Sequence, residues 1–313
     1  MTHLAALAQP GVLSDPSTHA DFLTFVLRDQ WFNVEEIGDA LGQLGGIEKS
    51  LRHKDDDAHL TVTIGFSKKA WEMAFPDTPL PPELADFVEM TDGDRHFPST
   101  AGDIFIMVKS SRMDLNFQVA KYCATALSPI AELIEDTQGY RYLDNRDMID
   151  FVDGTENPEY EQRASWVLVG DGDDAHVGGS YLTVQRYIDR QGLWDAQSTE
   201  YQEQVVGRTK LDDIELSDDD KPAWAHNAKS KVIVDDEEIK MFRQNRPYGN
   251  AIEHGTMFVG FVASASTLTI SLTQMITADE EGHYDRLLDF VEAKTGNNFF
   301  VPPRAFLEAQ FDD

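Results

Sequence analysis

The residues most able to do chemistry stand together near the middle of the chain, in Asp150-Phe151-Val152-Asp153-Gly154-Thr155-Glu156-Asn157-Pro158. Gly154 is free to take φ > 0, and Asn157-Pro158 forces an extended or turn geometry. Asp153 is thereby held on tight backbone with apolar Val152 at its shoulder. A carboxylate presented to a pocket in this way can move protons for a bound reactant. The same residues also make an Asx-type turn with no chemistry attached, and the stretch alone leaves both readings open.

Two further segments carry residues of catalytic type. His226 lies in Ala223-Trp224-Ala225-His226-Asn227-Ala228, and Arg243 opens Arg243-Gln244-Asn245-Arg246-Pro247-Tyr248-Gly249. A single histidine among nine is more often a satisfied residue than a ligand, so context has to decide.

Phe151 to Pro158 resembles the signature of the dye-decolourising peroxidases, haem enzymes whose pattern runs Gly-Phe-x-Asp-Gly-x-x-Asn-Pro. It is most similar to the bacterial branch with an Asp-Gly-Thr-Glu-Asn-Pro form. The match departs at its first position, where the family has glycine and this chain has Asp150. The family's axial histidine stands about this far before an Arg-x-x-x-Pro-Tyr-Gly segment, which Arg243 to Gly249 resembles.

The resemblance implies haem b with His226 as proximal iron ligand. It implies reduction of hydrogen peroxide to water through a ferryl intermediate, with dyes, phenols or other small reducing substrates oxidised one electron at a time. Asp153, Arg243 and Asn245 are then the distal catalytic groups. Asp285 is the carboxylate behind the histidine, with Asp279 as fallback. Arg208, in a Gly-Arg-[ST]-Lys segment, is expected on a haem propionate. Val152, Gly154 and Thr155 are expected against the cofactor, with Phe258, Phe261, Leu272 and Met275 as apolar walls. His254 and His283 are rival ligands.

Each of these residue types has a chemical reason. Haem iron takes a neutral imidazole on one face and leaves the other open. A carboxylate on the second ring nitrogen makes that imidazole a stronger donor. On the distal face a carboxylate can shuttle the proton of peroxide, and an arginine can stabilise the charge on the leaving oxygen. The two pull against each other, because a nearby arginine favours the ionised carboxylate and weakens it as a base. Cleavage is therefore expected to depend on Arg243 at least as much as on Asp153. Bulky donors would need electron transfer through surface aromatics, for which Trp194, Trp224, Tyr187 and Tyr248 are candidates.

Two other functions remain open at this point. One is a haem- or porphyrin-processing protein, by porphyrinogen oxidation or iron removal. The other is a non-catalytic ferredoxin-like dimer that binds a ligand.

The elements that must carry these residues alternate between strand and helix. Strands are predicted at Phe22–Arg28, His59–Phe66 and Asp103–Lys109. A helix starts at Asn33 with Glu36 as a capping pair and stops at Gly45-Gly46. A short helix covers Lys68–Phe75, and a long one Leu115–Ile134 despite Pro129. Further along, Trp166–Val169, Ser180–Ile188, Lys231–Val234 and Thr256–Ala263 read as strands. Ser198–Val206, Leu268–Met275 and Tyr284–Ala293 read as helices. The pattern gives an α+β chain, possibly duplicated. The family resemblance implies two ferredoxin-like halves packed sheet to sheet, as a dimeric α+β barrel. Their expected spans are residues 1–145 and 146–313, the second carrying the haem pocket.

Composition narrows the partners. The formal charge is −30 over 313 residues, which argues against nucleic acid and anionic membranes. No apolar run reaches the ~18 residues of a membrane span. Met1 to Pro10 lacks a basic leader and a long apolar core, so a cytoplasmic home is expected. The one cysteine, Cys123, sits in a helix-like apolar segment and reads as a packed thiol. A homo-oligomer is expected. No encapsulating shell is expected, because no long Gly/Pro-rich extension follows Phe299-Phe300-Val301-Pro302-Pro303.

Overall fold

The computed structural model describes residues 3–28, 34–170, 172–173 and 175–311. Asn33, the expected helix cap, lies outside the described residues. No helix among those described is long and apolar enough to cross a membrane.

Helix α1 (Pro10–Leu13) leads into strand β1 (His19–Leu27), helix α2 (Val34–Arg52), strand β2 (Thr61–Phe66) and helix α3 (Lys68–Ala74). A hairpin of β3 (Met90–Asp92) and β4 (Arg95–Phe97) precedes β5 (Ile104–Ser110), α4 (Met113–Leu127) and β6 (Ala131–Tyr140). Next come α5 (Tyr160–Val167), β7 (Ser180–Asp189), α6 (Gln191–Asp195), α7 (Thr199–Val206) and α8 (His226–Lys229). A second hairpin, β8 (Val232–Val234) and β9 (Glu237–Ile239), is followed by β10 (Phe242–Arg243), β11 (Arg246–Gly249) and β12 (His254–Val262). The chain ends in α9 (Ala265–Ile276), β13 (Val291–Ala293), β14 (Asn297–Val301) and α10 (Arg304–Phe311).

The main sheet runs in the order β10-β12-β11-β6-β1-β5-β2-β14-β7-β13, antiparallel throughout. A further pairing of β12 with β7 closes it on itself. Two joints of the ring rest on single residue pairs, Tyr248 with Gly139 and Phe300 with Phe66.

Alternation along the strands fills the ring. Phe22, Phe105, Leu182, Val259, Phe261 and Phe299 share one buried cluster. The neighbouring Leu23, Ile106 and Val108 face the other way and meet Ile37, Leu41, Val119 and Cys123 of α2 and α4. Burial pushes the Cys123 thiol up to about 12, as suits an inert packed group. At one end, α1 packs against β2 so closely that a Cβ on Gly11 would stand 2.1 Å from Thr63 Oγ1. Only glycine allows that approach.

Four expectations need correction. Helix α2 runs through Gly45-Gly46 to Arg52. Each glycine costs about 1 kcal/mol against alanine, but Leu44 and Leu51 bury fully on the far sides of the pair, each worth about 1.5–3 kcal/mol. Helix α4 stops at Leu127, and the predicted helical residues from Ala131 on form β6 instead. Pro129 has no N–H to give the helix, and β1 offers a full ladder from Leu27 with Ala131 onward. Trp166 and Val167 end helix α5 rather than starting a strand; a short apolar run carries no period of its own. Tyr284–Ala293 is not a helix. Asp285 accepts from Leu287 N at 3.0 Å and starts a brief 3-10 turn, Arg286–Asp289, before β13 pairs with β7.

Candidate active site

The central motif is tied down by its own backbone. Asp153 N donates to Asn145 O at 3.1 Å, and Asn145 Nδ2 donates to Asp153 O at 3.0 Å. Asp147 Oδ1 accepts from the N–H groups of Ile149 and Phe151. Gly154 has φ +85°, where it carries no penalty. Asp150 has φ +71°, which an aspartate tolerates at a cost of roughly 1 kcal/mol.

From this base the motif side chains bond four residues of other segments. Asp153 Oδ1 accepts from Asn245 Nδ2 at 3.3 Å. Thr155 Oγ1 donates to Asp213 Oδ2 at 2.6 Å. Glu156 Oε1 accepts from Arg208 Nη1 at 2.8 Å. Asn157 Oδ1 accepts from Arg243 N at 2.9 Å, and its Nδ2 donates to Arg243 O at 2.8 Å. The stretch is therefore a hub and not merely a turn.

A cavity of about 340 Å³ opens between the outward face of β7 and β12, helix α9 and these loops. Asp153, Arg243, Asn245, Arg208, His226, Val152, Gly154, Thr155, Phe258, Leu272 and Met275 all line it. Phe261 does not: it lies three positions from Phe258, hence on the opposite face of β12, inside the ring. A second polar cavity of about 270 Å³ meets the first at Asp153, Arg243 and Asn245.

His226 opens the short helix α8 and is half-buried. Its Nδ1 lies 2.7 Å from Asp285 Oδ2, and Asp285 is fully buried. Nε2 has no hydrogen-bond partner among the described residues. Asp279, the fallback carboxylate, pairs with Lys229 at 3.1 Å. His254 is engaged by Asn250 O and Gln191 Oε1, and His283 stands near Asp279 and Glu281; neither lines the cavity.

Arg208 is not a free cation. It pairs with Glu156 at 2.8 Å and Asp213 at 2.6 Å. Lys231 and Lys240, which sequence reasoning passed over, line the same mouth and share Glu238 at 3.0 Å each. Nothing in their local sequence marks them.

Further acids and phenols surround the cavity. Burial holds Asp189 up at about 7 and, with the charges of Asp153 and Asp189, keeps Asp147 well above the usual carboxylate range. Burial and the Asp285 charge push the Tyr187 phenol up, and its hydroxyl donates to Gln185 Oε1 at 2.9 Å. Of the aromatic candidates for electron entry, Tyr187 lines the cavity, Trp224 is half-buried and Tyr248 is 7% exposed. Trp194 is fully buried among Phe151, Phe290 and Val205, so it is not a surface residue.

Comparison with known proteins adds to this geometry. Residues 9–141 match the family model described as Dyp-type peroxidase, N-terminal, and residues 144–306 the model described as Dyp-type peroxidase, C-terminal. The chain is 38% identical over 309 residues to the dye-decolorizing peroxidase of Rhodococcus erythropolis, covering 97% of this chain and 89% of that protein. Its structure is similar to that of the encapsulated DyP-type peroxidase from Mycobacterium smegmatis, with TM-score 0.92, 35% identity and 98% of each chain covered. It is similar also to a Rhodococcus jostii RHA1 DypB variant in complex with heme, with TM-score 0.91, 34% identity, 97% of this chain and 99% of that chain covered. The encapsulation of the M. smegmatis protein lends no support to the expectation of no shell.

Proposed function

The chain belongs to the Dyp-type peroxidase family, and from that membership we propose how its own residues carry the reaction. It is a haem peroxidase that reduces hydrogen peroxide at the expense of a reducing substrate. The reading as a non-catalytic ligand-binding dimer falls with that membership. What carries the assignment of roles is one observation: His226 and the Asp153, Asn245 and Arg243 group line a single cavity.

The residues present fit haem. His226 offers Nε2 to the cavity while Asp285 holds Nδ1, which fixes the tautomer that leaves Nε2 as the donor atom. Phe258, Leu272 and Met275 supply apolar walls. Arg208, Lys231 and Lys240 at the mouth suit the propionates, which would join an ionic cluster already containing Glu156 and Glu238. Cys123, the sole cysteine, is buried on the core face of α4, away from the cavity, so the group is held without a thioether link, as haem b. Haem iron, when bound, supplies the redox centre at which peroxide is split and from which one-electron donors are oxidised.

The protein's part is protons and charge. Asp153 takes the proton from the peroxide oxygen that stays and returns it to the one that leaves as water. Asn245, bonded to Asp153 at 3.3 Å and to Val259 N at 3.2 Å, fixes the carboxylate. Arg243 holds the developing negative charge on the leaving oxygen, in a site where an unshielded guanidinium acts strongly.

We also read the chain as two ferredoxin-like halves, 1–145 and 146–313. Strand order β6-β1-β5-β2 in the first and β14-β7-β12-β11 in the second supports this: with the hairpins β3-β4 and β8-β9 and the short strands β10 and β13 set aside, each runs fourth, first, third, second.

Absorption spectra of the purified protein, before and after one equivalent of peroxide, test the site. A Soret band that peroxide shifts, and that His226→Ala loses or alters, is expected. An unchanged band in His226→Ala would remove His226 as ligand. Arg243→Leu is expected to slow the peroxide step by about 10²–10³, at least as much as Asp153→Asn. A wild-type rate in Arg243→Leu with a slow Asp153→Asn would reverse that ranking.

A further inference from the structure

The guanidinium of Arg243 has no hydrogen-bond or ion-pair partner among the described residues, so its main chain sets its aim. Asn157 holds that main chain from one side. A second hold lies behind it. Alternation turns Arg243 and Asn245 toward the cavity and Gln244 away from it, where Gln244 is 1% exposed.

There Gln244 Nε2 donates to Gly11 O at 3.0 Å and Val12 O at 2.8 Å. Its Oε1 accepts from Lys109 Nζ, which comes from β5 and is 2% exposed at the residue level. The same nitrogen lies within reach of Gly11 O (3.0 Å), Ser14 O (3.2 Å), Ser14 Oγ (2.8 Å) and Asp15 O (3.4 Å), among which its three N–H groups are shared. The Asp15 carboxylate is spent on Arg163 at 2.7 Å. Burial, together with the charges of Arg246 and Arg163, pushes the Lys109 pKa down. Such a cation is held at a desolvation cost that an apolar side chain would not incur. What it supplies instead is direction, since it gathers Gln244 and residues 11–15 around one point.

We propose that Lys109, acting through Gln244, is a positioning residue: it fastens the 243–245 segment to residues 11–15 so that Arg243 stays turned into the cavity. The inference rests on Arg243 being the distal charge-stabilising group.

A double-mutant cycle on the haem-loaded protein tests it. Two quantities are read: the fluoride affinity of the ferric protein, by absorption, and the second-order rate with peroxide. Lys109→Met is expected to lower both about tenfold, with haem content and the KM for the reducing donor unchanged. In an Arg243→Leu background the same substitution is expected to change neither. An equal loss in both backgrounds, or no loss when Arg243 is present, overturns the inference and leaves the role of Arg243 standing. If Arg243→Leu alone alters neither quantity, the role of Arg243 falls and the inference with it. Should Lys109→Met fail to load haem, Ser14→Ala removes one acceptor and keeps the rest; a loss of about two- to threefold, again confined to the Arg243 background, is expected. Its absence overturns the proposal.

Discussion

The side-chain amide of Asn157 exchanges two hydrogen bonds with the main chain of Arg243, as one strand residue does with another. The central motif thus sets where an arginine far along the chain can stand. The backbone before Asn157 is equally constrained, since a Cβ on Gly154 would come within 2.9 Å of Asn157 Nδ2.

Asn157→Ala is expected to lower the second-order rate with peroxide about tenfold, the equivalent of about 1.4 kcal/mol, while haem content holds. Stopped-flow absorption at the Soret band measures it. An unchanged rate would mean that the β10 pairing and the Gln244 contacts fix Arg243 without Asn157.

Asp285→Asn keeps the shape of the His226 partner but removes its charge. Haem affinity or the peroxide rate is expected to fall about 10- to 100-fold, and the ferric/ferrous potential to rise. A potential equal to that of the wild type, measured by redox titration, would show that Asp285 only orients the ring.

Asp150 occupies a left-handed position, with Lys210 3.6 Å away. That half-exposed ion pair contributes little. Asp150→Gly is therefore expected to raise stability by about 1 kcal/mol, seen as a higher Tm. A lower Tm would assign the gain to Lys210 or to a stiffer unfolded chain.

Asp21 in β1 is 1% exposed, and its Oδ2 has no hydrogen-bond partner among the described residues. Burial, followed by the charge of Asp136, pushes its carboxyl from 3.8 up to about 7. The folded state thus binds this proton more tightly than the unfolded one. The stability it contributes is complete below about pH 3.8 and is lost as the pH rises to about 7. Asp21→Asn is expected to stabilise by on the order of 3 kcal/mol at pH 8 and by under about 1 kcal/mol at pH 4. Denaturant unfolding at both pH values measures this, and an equal gain at each would rule Asp21 out as the titrating group.

The groups at the cavity were legible because local sequence marks them. Asp153, His226 and Arg243 each sit in a short segment whose order can be read. Asn157 was visible in the motif but not its reach to Arg243. Lys109 carried no mark at all, since its amide partner stands 135 residues away. The same division runs through the fold. Strands with alternating β-branched residues, such as Thr61–Phe66, were readable. β6 was not, because its residues continue the apolar spacing of α4 and only pairing with β1 makes them a strand. Local propensity cannot report a partner supplied from elsewhere in the chain.

β14 sits between β2 and β7, and along the chain it follows every other strand of the ring. Until residues 297–301 emerge the sheet stays open between β2 and β7, with the Ser180–Val184 margin of β7 unpaired while β13 already covers Tyr187–Asp189. Only when residues 297–301 clear the exit tunnel can that margin of β7 be sealed. Bare strand margins recruit other chains. A chain cut short before residue 297 is thus expected to lose the joint between the two ends of its sheet and to offer the uncovered stretch of β7 to other chains.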